Sequence, residues 1–339
     1  METLKKYIYH PEIDFIRIIC TFSVIMIHIT TKILALSGND LFGHPFTLFL
    51  NQLSSFAVPI FFMISAFGLK LNYSANLKFF PYLKQRLSKI LLPYLFWSFI
   101  YYYFVYPHNS QSFFRVLLFG GASYQLYFIP TLFIFYLLFP FIYRYFKFIS
   151  RPLPLIILFI IQFIFLSIDY YYRPLSFFAY PIKVFILNFI FFILGMLAGE
   201  YQSEIYNFVK AHQKKIIFLS LIFALYITFE SAFRYFKTQN YLSFYSQWRP
   251  GILLYSISLS SLLYYFGKNT KISTEFIKKF SSYSFFIYFT HVIFIEIIWK
   301  YLPHTLLSLP FVSFFLVLIP SSLFAHLISK IPRLSRLTG

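Results

Sequence analysis

The stretch from Glu12 to Thr31 constrains the fold of this chain more than any other. It is long and apolar enough to form a membrane-spanning helix, yet it carries the ionisable residues Arg17 and His28. A charged group inside a bilayer is costly unless it is paired or faces a wet cavity. The stretch therefore predicts a membrane helix with a functional polar face.

Arg17 and His28 are expected on one face of this helix. They are eleven residues apart, three turns and a small remainder, so their side chains point the same way about 16 Å apart along the axis. Asp14 falls near the same stripe, and its position three residues before Arg17 favours an internal ion pair. We expect Arg17 to bind an anion such as a phosphate, to pair with Asp14, or to do both.

The composition of the whole chain indicates an integral membrane protein. Of its 339 residues, 59% are hydrophobic and only 12% are charged, whereas about a quarter of a soluble domain is charged. Repeated apolar runs of about 20 residues predict an all-α fold with ten membrane-spanning helices in a single domain, residues 1–339. The predicted spans are 12–35, 46–69, 87–106, 124–146, 153–171, 182–199, 215–234, 249–267, 280–301 and 307–329.

The formal net charge of +19 has two interpretations. Nucleic-acid binding would need a soluble basic surface, but here Lys and Arg occupy short segments between apolar runs. If the N-terminus is inside, most of the 29 Lys and Arg residues fall in inner segments. This bias predicts that both termini are cytoplasmic. A single cysteine and the lack of a His/Asp cluster at ligand spacing argue against a metal site.

Five segments of the chain resemble the membrane acyltransferase-3 family. Arg17 and His28 are separated by ten residues in the first helix, as in the signature of that family. The resemblance spans nearly the whole chain, although Ala66, Lys89 and Tyr127 stand where the family usually has Gly, Arg and Trp. The other matching segments are Val58–Ala66, Arg86–Tyr94, Tyr124–Phe128 and Ser282–His291.

The resemblance implies an integral membrane O-acyltransferase of the small form, without an extracytoplasmic domain. Such an enzyme moves an acyl group, here expected to be acetyl, from cytoplasmic acyl-coenzyme A to a hydroxyl of a cell-surface glycan or lipid-linked sugar. The expected partners are acyl-coenzyme A, the saccharide acceptor and the lipid bilayer of a bacterial plasma membrane. No bound cofactor, metal or nucleic acid is expected.

The resemblance also suggests catalytic residues. His28 would take a proton from the acceptor hydroxyl or be transiently acylated; the alternative is a buried histidine satisfied by a neighbouring helix. Arg17 and His291 would complete the catalytic group, and Asp14 would join Arg17 on the substrate-binding side.

Four further residues are expected to bind substrate. Arg86 and Lys89 would attract the phosphates of coenzyme A, although inner lysines and arginines equally serve topology. Ser65 would line the same cavity or allow close helix packing. Glu296 lies five residues after His291, about 140° around the helix, so these two side chains are not expected to face one another.

Five charged residues lie near the predicted outer ends of spans. They could shape a sugar-binding site, but the preferred interpretation is that they are ordinary solvated rim charges. They are Asp169, Arg173, Glu230, Arg234 and Arg249.

A polysaccharide exporter or other polytopic transporter is the alternative function, because ten helices with buried charges also suit transport. Two features favour the enzyme: no internal repeat is detectable, whereas many transporters have one, and the polar groups concentrate in the first span. A purely structural membrane subunit would not explain the burial of Arg17.

Overall fold

The computed structural model describes residues 9–36, 44–73, 78–108, 110–238 and 247–331. Within these ranges every regular element is helical, in agreement with the predicted all-α fold, and eight helical segments are long and apolar enough to cross a membrane. Both ends of the chain, predicted to be cytoplasmic, lie outside the described residues. The α-helices are α1 (Pro11–Leu36), α2 (Pro45–Ser54), α3 (Ala57–Asn72), α4 (Phe79–Ile100), α5 (Phe113–Phe119), α6 (Phe128–Ile149), α7 (Pro152–Tyr172), α8 (Tyr180–Glu200), α9 (Gln202–Thr238), α10 (Pro250–Lys268), α11 (Thr274–Tyr301), α12 (His304–Leu307) and α13 (Pro310–Ser329).

Two further helices occupy the positions of the third and eighth predicted spans. The first half of α4 carries Lys84, Arg86 and Lys89, and serines recur along the middle of α10. These polar residues lower the hydropathy of both helices. In the part of the chain that the structure describes, α4 and α10 thus account for the difference between the ten predicted spans and the eight apolar segments.

The predicted second span, 46–69, is two helices separated by Ser55 and Phe56. Pro59 explains the break, because it lacks the N–H that the Ser55 carbonyl would need in a continuous helix. The N–H of Ser55 instead donates to the Gln52 carbonyl at 3.1 Å, which closes α2 with a tight turn.

Helix α1 occupies the centre of the bundle. It packs against α2, α3, α10, α11 and α13, and its buried residues contribute to three separate apolar clusters. By contrast, α7 exposes most of its apolar side chains on the outer surface, as a lipid-facing helix does. The polar residues of α1 are therefore surrounded by protein.

Two glycines bring α8 unusually close to α3. A Cβ atom at Gly195 would overlap the carbonyl oxygen of Met63, and one at Gly199 would lie 3.2 Å from the Lys70 side chain. Their four-residue spacing places both on one helix face, a pattern typical of close helix contacts in membranes. Ala66 of α3, where the resembled family has Gly, is fully buried beside this contact. The close approach is thus provided by α8.

Two predicted boundaries shift for identifiable reasons. Helix α9 extends well before the predicted start at residue 215, but it bends at His212, whose φ is −112° and ψ is 16°. Helix α6 begins at Phe128, so the predicted fourth span starts too early. The preceding segment, residues 120–127, forms turns instead of a helix.

Candidate active site

Helices α1 and α11 bring polar residues together at three successive levels. At the first level, Nη1 of Arg17 donates to Oδ1 of Asp14 at 2.5 Å and to Oγ of Ser281 at 2.9 Å. The Ser281 hydroxyl in turn donates to the same Asp14 oxygen at 2.7 Å. The predicted Arg17–Asp14 pair therefore forms, and it is tied to α11.

At the second level, His28 and His291 lie with their rings stacked. Their ring centroids are 5.3 Å apart, and Tyr124 covers His28 with a centroid distance of 4.7 Å. His291 is fully buried, and its Nδ1 lies 2.9 Å from the carbonyl oxygen of Ile287. Its Nε2 has no hydrogen-bond partner among the described residues. The two histidines thus form a close, incompletely bonded pair.

At the third level, Nζ of Lys32 forms an ion pair with Oε2 of Glu296 at 2.7 Å. The Tyr106 hydroxyl donates to the other carboxylate oxygen at 3.2 Å. The first and third levels share the same sequence separation, 264 residues, so α1 and α11 run parallel in constant register. We call Arg17 with Ser281 the first polar pair, His28 with His291 the second and Lys32 with Glu296 the third.

One cavity connects the first polar pair to the second. It has a volume of about 330 Å³ and is lined by both Arg17 and His28, together with Ser65 of α3. The remaining walls come from α4, α6, α11 and the two segments around residues 125 and 247. The other polar lining residues are Gln125, Tyr127, Tyr136, Gln247, Ser281, Ser282, Ser284 and Tyr288.

The non-helical segment 120–127 forms one end of this cavity. Gly120 adopts φ +70°, and a Cβ atom there would lie 2.5 Å from Cα of Tyr127, so only glycine fits the turn. The segment is held to α11 by Tyr288, whose hydroxyl donates to the Gln125 carbonyl at 2.8 Å. Irregular backbone within a membrane bundle is tolerated where it lines a cavity. The consecutive glycines 120 and 121 were the available sequence signal for this turn.

The predicted substrate-binding residues separate into two groups. Ser65 lines the cavity, and Arg86 faces inward: Tyr136, a cavity residue, interacts electrostatically with both Arg86 and Arg17. Lys89 is exposed on α4, away from the described cavity lining. Arg86 therefore lies nearer the cavity than Lys89 does, although neither residue is part of the described lining.

His291 and Glu296 both contact α1, but at different levels. His291 stacks on His28, and Glu296 forms an ion pair with Lys32. The described contacts do not join His291 to Glu296, which agrees with the expectation that these two side chains do not face one another.

Of the five charged residues near the predicted outer ends of spans, two are buried, so the interpretation of them as solvated was wrong. Arg249 is 0% exposed and Asp169 only 4% exposed. Asp169 pairs with Lys183 at 2.7 Å. Sequence position near a span end did not reveal the burial of Arg249, because the residues just before α10 lie inside the bundle: residue 247 is half-buried and residue 248 is buried.

These features define a multi-pass, α-helical membrane protein with a polar cavity between its first and eleventh helices. Residues 10–329 match a protein family described as an acyltransferase domain. The chain belongs to the acyltransferase-3 family and is an acyltransferase. Comparison with curated proteins finds no match to this chain, and comparison with solved structures finds none either.

Proposed function

We propose that the protein is a membrane O-acyltransferase that moves an acyl group, acetyl in our proposal, from cytoplasmic acyl-coenzyme A to a hydroxyl of a cell-surface glycan or lipid-linked sugar. The observation that carries this proposal is the single cavity lined by both Arg17 and His28. A guanidinium suited to phosphate and an imidazole suited to proton transfer share one space.

The donor enters at the first polar pair. Arg17 uses only Nη1 for its bonds to Asp14 and Ser281, so its other nitrogens make no such bond to described residues and can hold phosphate. Arg86 adds a second cation near Tyr136. The cavity volume lies at the low end of the range for ligand sites. The pantetheine arm therefore occupies the cavity, and the nucleotide stays at its basic mouth.

The reaction takes place at His28. The acceptor hydroxyl oxygen attacks the thioester carbonyl carbon, a C–O bond forms and the C–S bond breaks. His28 takes the hydroxyl proton and returns it to the departing sulfur. In the alternative route His28 first receives the acyl group and then passes it to the hydroxyl. His291, stacked on His28, supports the ring in either route.

The acceptor approaches past the third polar pair. Lys32 and Glu296 are partly exposed, with 24% and 34% of their side-chain surfaces accessible. A carboxylate, an ammonium and the Tyr106 hydroxyl together offer donors and acceptors for sugar hydroxyls. In this arrangement the protein works in the bacterial plasma membrane, with the donor inside and the acceptor outside.

The test is transfer of radioactive acetyl from acetyl-coenzyme A to a glycan fraction in purified membranes. Label should reach the fraction with the wild type and fail to do so with His28→Ala and Arg17→Ala at equal protein levels. His326→Ala is the matched control, because His326 lies in α13 bonded to Tyr283 and outside the cavity lining.

Equal labelling with all four proteins would contradict the proposed site. An absence of label in the wild type, while glycan still crosses the membrane, would favour the exporter.

A further inference from the structure

Arg249 anchors a second buried polar group, which the proposed reaction does not use. It precedes α10 and has no exposed surface. Its Nη1 donates to Oε2 of Glu230 at 3.1 Å and to Oγ of Ser231 at 2.7 Å, and its Nη2 donates to Oε1 of Gln52. With Asn51, these residues form what we call the Arg249 cluster.

The cluster imposes a direction on its hydrogen bonds. An arginine side chain has donors and no acceptor, so the Gln52 atom facing it must be the oxygen. The Gln52 nitrogen is thereby committed to donate to Oδ1 of Asn51, at 2.9 Å. The Asn51 nitrogen must then point the other way. Amide orientations are usually ambiguous, but here Arg249 determines both.

The directed chain ends on the turn of α1 that carries His28. Nδ2 of Asn51 lies 3.0 Å from the hydroxyl oxygens of both Thr30 and Thr31, and 3.3 Å from the carbonyl oxygen of Ile27. Ile27 immediately precedes His28, and all three acceptors lie within one turn of it. The same turn presents His28 to the cavity.

Few contacts fix the position of the His28 ring. Within the described residues its side chain makes ring contacts with Tyr124 and His291, but no hydrogen bond is formed. The position of the imidazole therefore depends on the backbone of its own helical turn. A displacement of about 1 Å at a reacting group can cost on the order of a hundredfold in rate.

We propose that Asn51, Gln52 and Arg249 are positioning residues that fix the α1 turn and so place His28 in the cavity. The catalytic consequence rests on the proposed function, whereas the placement of His28 does not. Neither Asn51 nor Arg249 is proposed to touch the substrates.

Gln52→Glu tests this inference with little change in size. Glutamate keeps the partner of Arg249 and turns it into an ion pair, so the protein should stay folded. It removes the donor to Asn51, whose amide must then reverse and place its oxygen against the Ile27 carbonyl. Thr30→Val is a second variant, because it removes one acceptor from Asn51 while preserving the shape of the side chain.

The matched control is Gln162→Glu. Gln162 is also a buried glutamine, but it bonds backbone groups of Leu187 and Ile190 between α7 and α8, away from α1. It therefore reports the general cost of a buried carboxylate.

The primary measurement is the rate at which diethyl pyrocarbonate modifies His28 in purified protein. Peptide mass spectrometry gives this rate relative to the exposed His212 of the same chain. We expect Gln52→Glu to change the relative rate at least about threefold, Thr30→Val to change it in the same direction, and Gln162→Glu to leave it unchanged. In acyl transfer, Gln52→Glu should lower kcat about tenfold with KM for the donor unchanged.

The inference would be overturned if diethyl pyrocarbonate modified His28 at the same rate in the wild type, Gln52→Glu and Thr30→Val. The same holds if His28 were not modified in any of the three. A wild type without acyl transfer would instead contradict the proposed function, and the modification rates would still test the placement of His28.

Discussion

Two regions of this molecule bury an arginine, and they differ in how far its charge is exposed and hydrogen-bonded. In the Arg249 cluster the arginine has no exposed surface, and both terminal nitrogens meet oxygens of the protein. In the cavity between α1 and α11, Arg17 leaves 39% of its side-chain surface exposed and bonds through one nitrogen only. Both regions contact α1, on different sides.

The difference separates a structural role from a ligand-binding role. A buried ion pair surrounded by further hydrogen bonds compensates its own desolvation within the protein. A polar group left facing a cavity is compensated only when water or a ligand occupies that space. The Arg249 cluster therefore holds the bundle together, whereas the cavity residues are the ones that we propose to bind substrates.

The strongest test of this contrast is His28→Gln. Removing the group that transfers the proton should lower kcat about 100- to 10,000-fold, while the thermal unfolding temperature in detergent stays at the wild-type value. Measuring both quantities on one preparation distinguishes catalysis from folding. A large loss of stability would place His28 with the structural residues instead.

Arg249→Met should reduce the stability that His28→Gln leaves unchanged. It leaves the Glu230 carboxylate without its partner, which should reduce the free energy of unfolding by about 3–5 kcal/mol. Denaturation in mixed micelles measures the loss. The double variant Arg249→Met/Glu230→Gln should recover part of it, and a double variant no more stable than the single one would argue against the ion pair as the source.

Arg17→Lys should affect the donor specifically. Lysine keeps the charge but loses the planar fork that binds phosphate through two parallel bonds. We expect KM for acetyl-coenzyme A to rise about tenfold, equivalent to about 1.4 kcal/mol, with a smaller effect on kcat. Steady-state kinetics at varied donor concentration gives both constants. A fall in kcat at unchanged KM would instead remove Arg17 from the phosphate site.

The smallest effect is expected at the third polar pair. Lys32→Glu or Glu296→Lys should each reduce activity about two- to fivefold, because a partly exposed ion pair is weak. The double variant restores opposite charges and should restore stability. If the pair also binds the acceptor, its KM should remain raised; a KM that returns to the wild-type value would indicate a purely structural pair.

The central elements of this architecture could be predicted from the sequence. The apolar stretch with Arg17 and His28 correctly indicated a helix that carries both side chains on one face, and both line the same cavity. The i, i+3 spacing predicted the Arg17–Asp14 ion pair, which the structure shows. These predictions depend on local periodicity, which a sequence displays directly.

Features that depend on tertiary packing were missed. The break before α3 had a local signal in Pro59. The contact of Gln52 with the buried Arg249 could not be predicted, because it depends on where α10 packs. Arg249 lies next to a proline at a helix start, where charge is usually solvated. The ion pair of Glu296 with Lys32 was missed for the same reason, because it joins two helices that are far apart in the sequence.

The constant register of α1 and α11 also determines how these two helices can assemble. A shift of α11 by one turn, about 5.4 Å, would place Lys32 opposite Val292 or Lys300 and Arg17 opposite Ile277 or Phe285. Apolar contacts alone discriminate poorly between such alignments in lipid, where tails resemble side chains. The first and third polar pairs would both be lost in either shifted alignment. The residues at the two ends of the proposed substrate path thus also select the single alignment of the two helices in which that path exists.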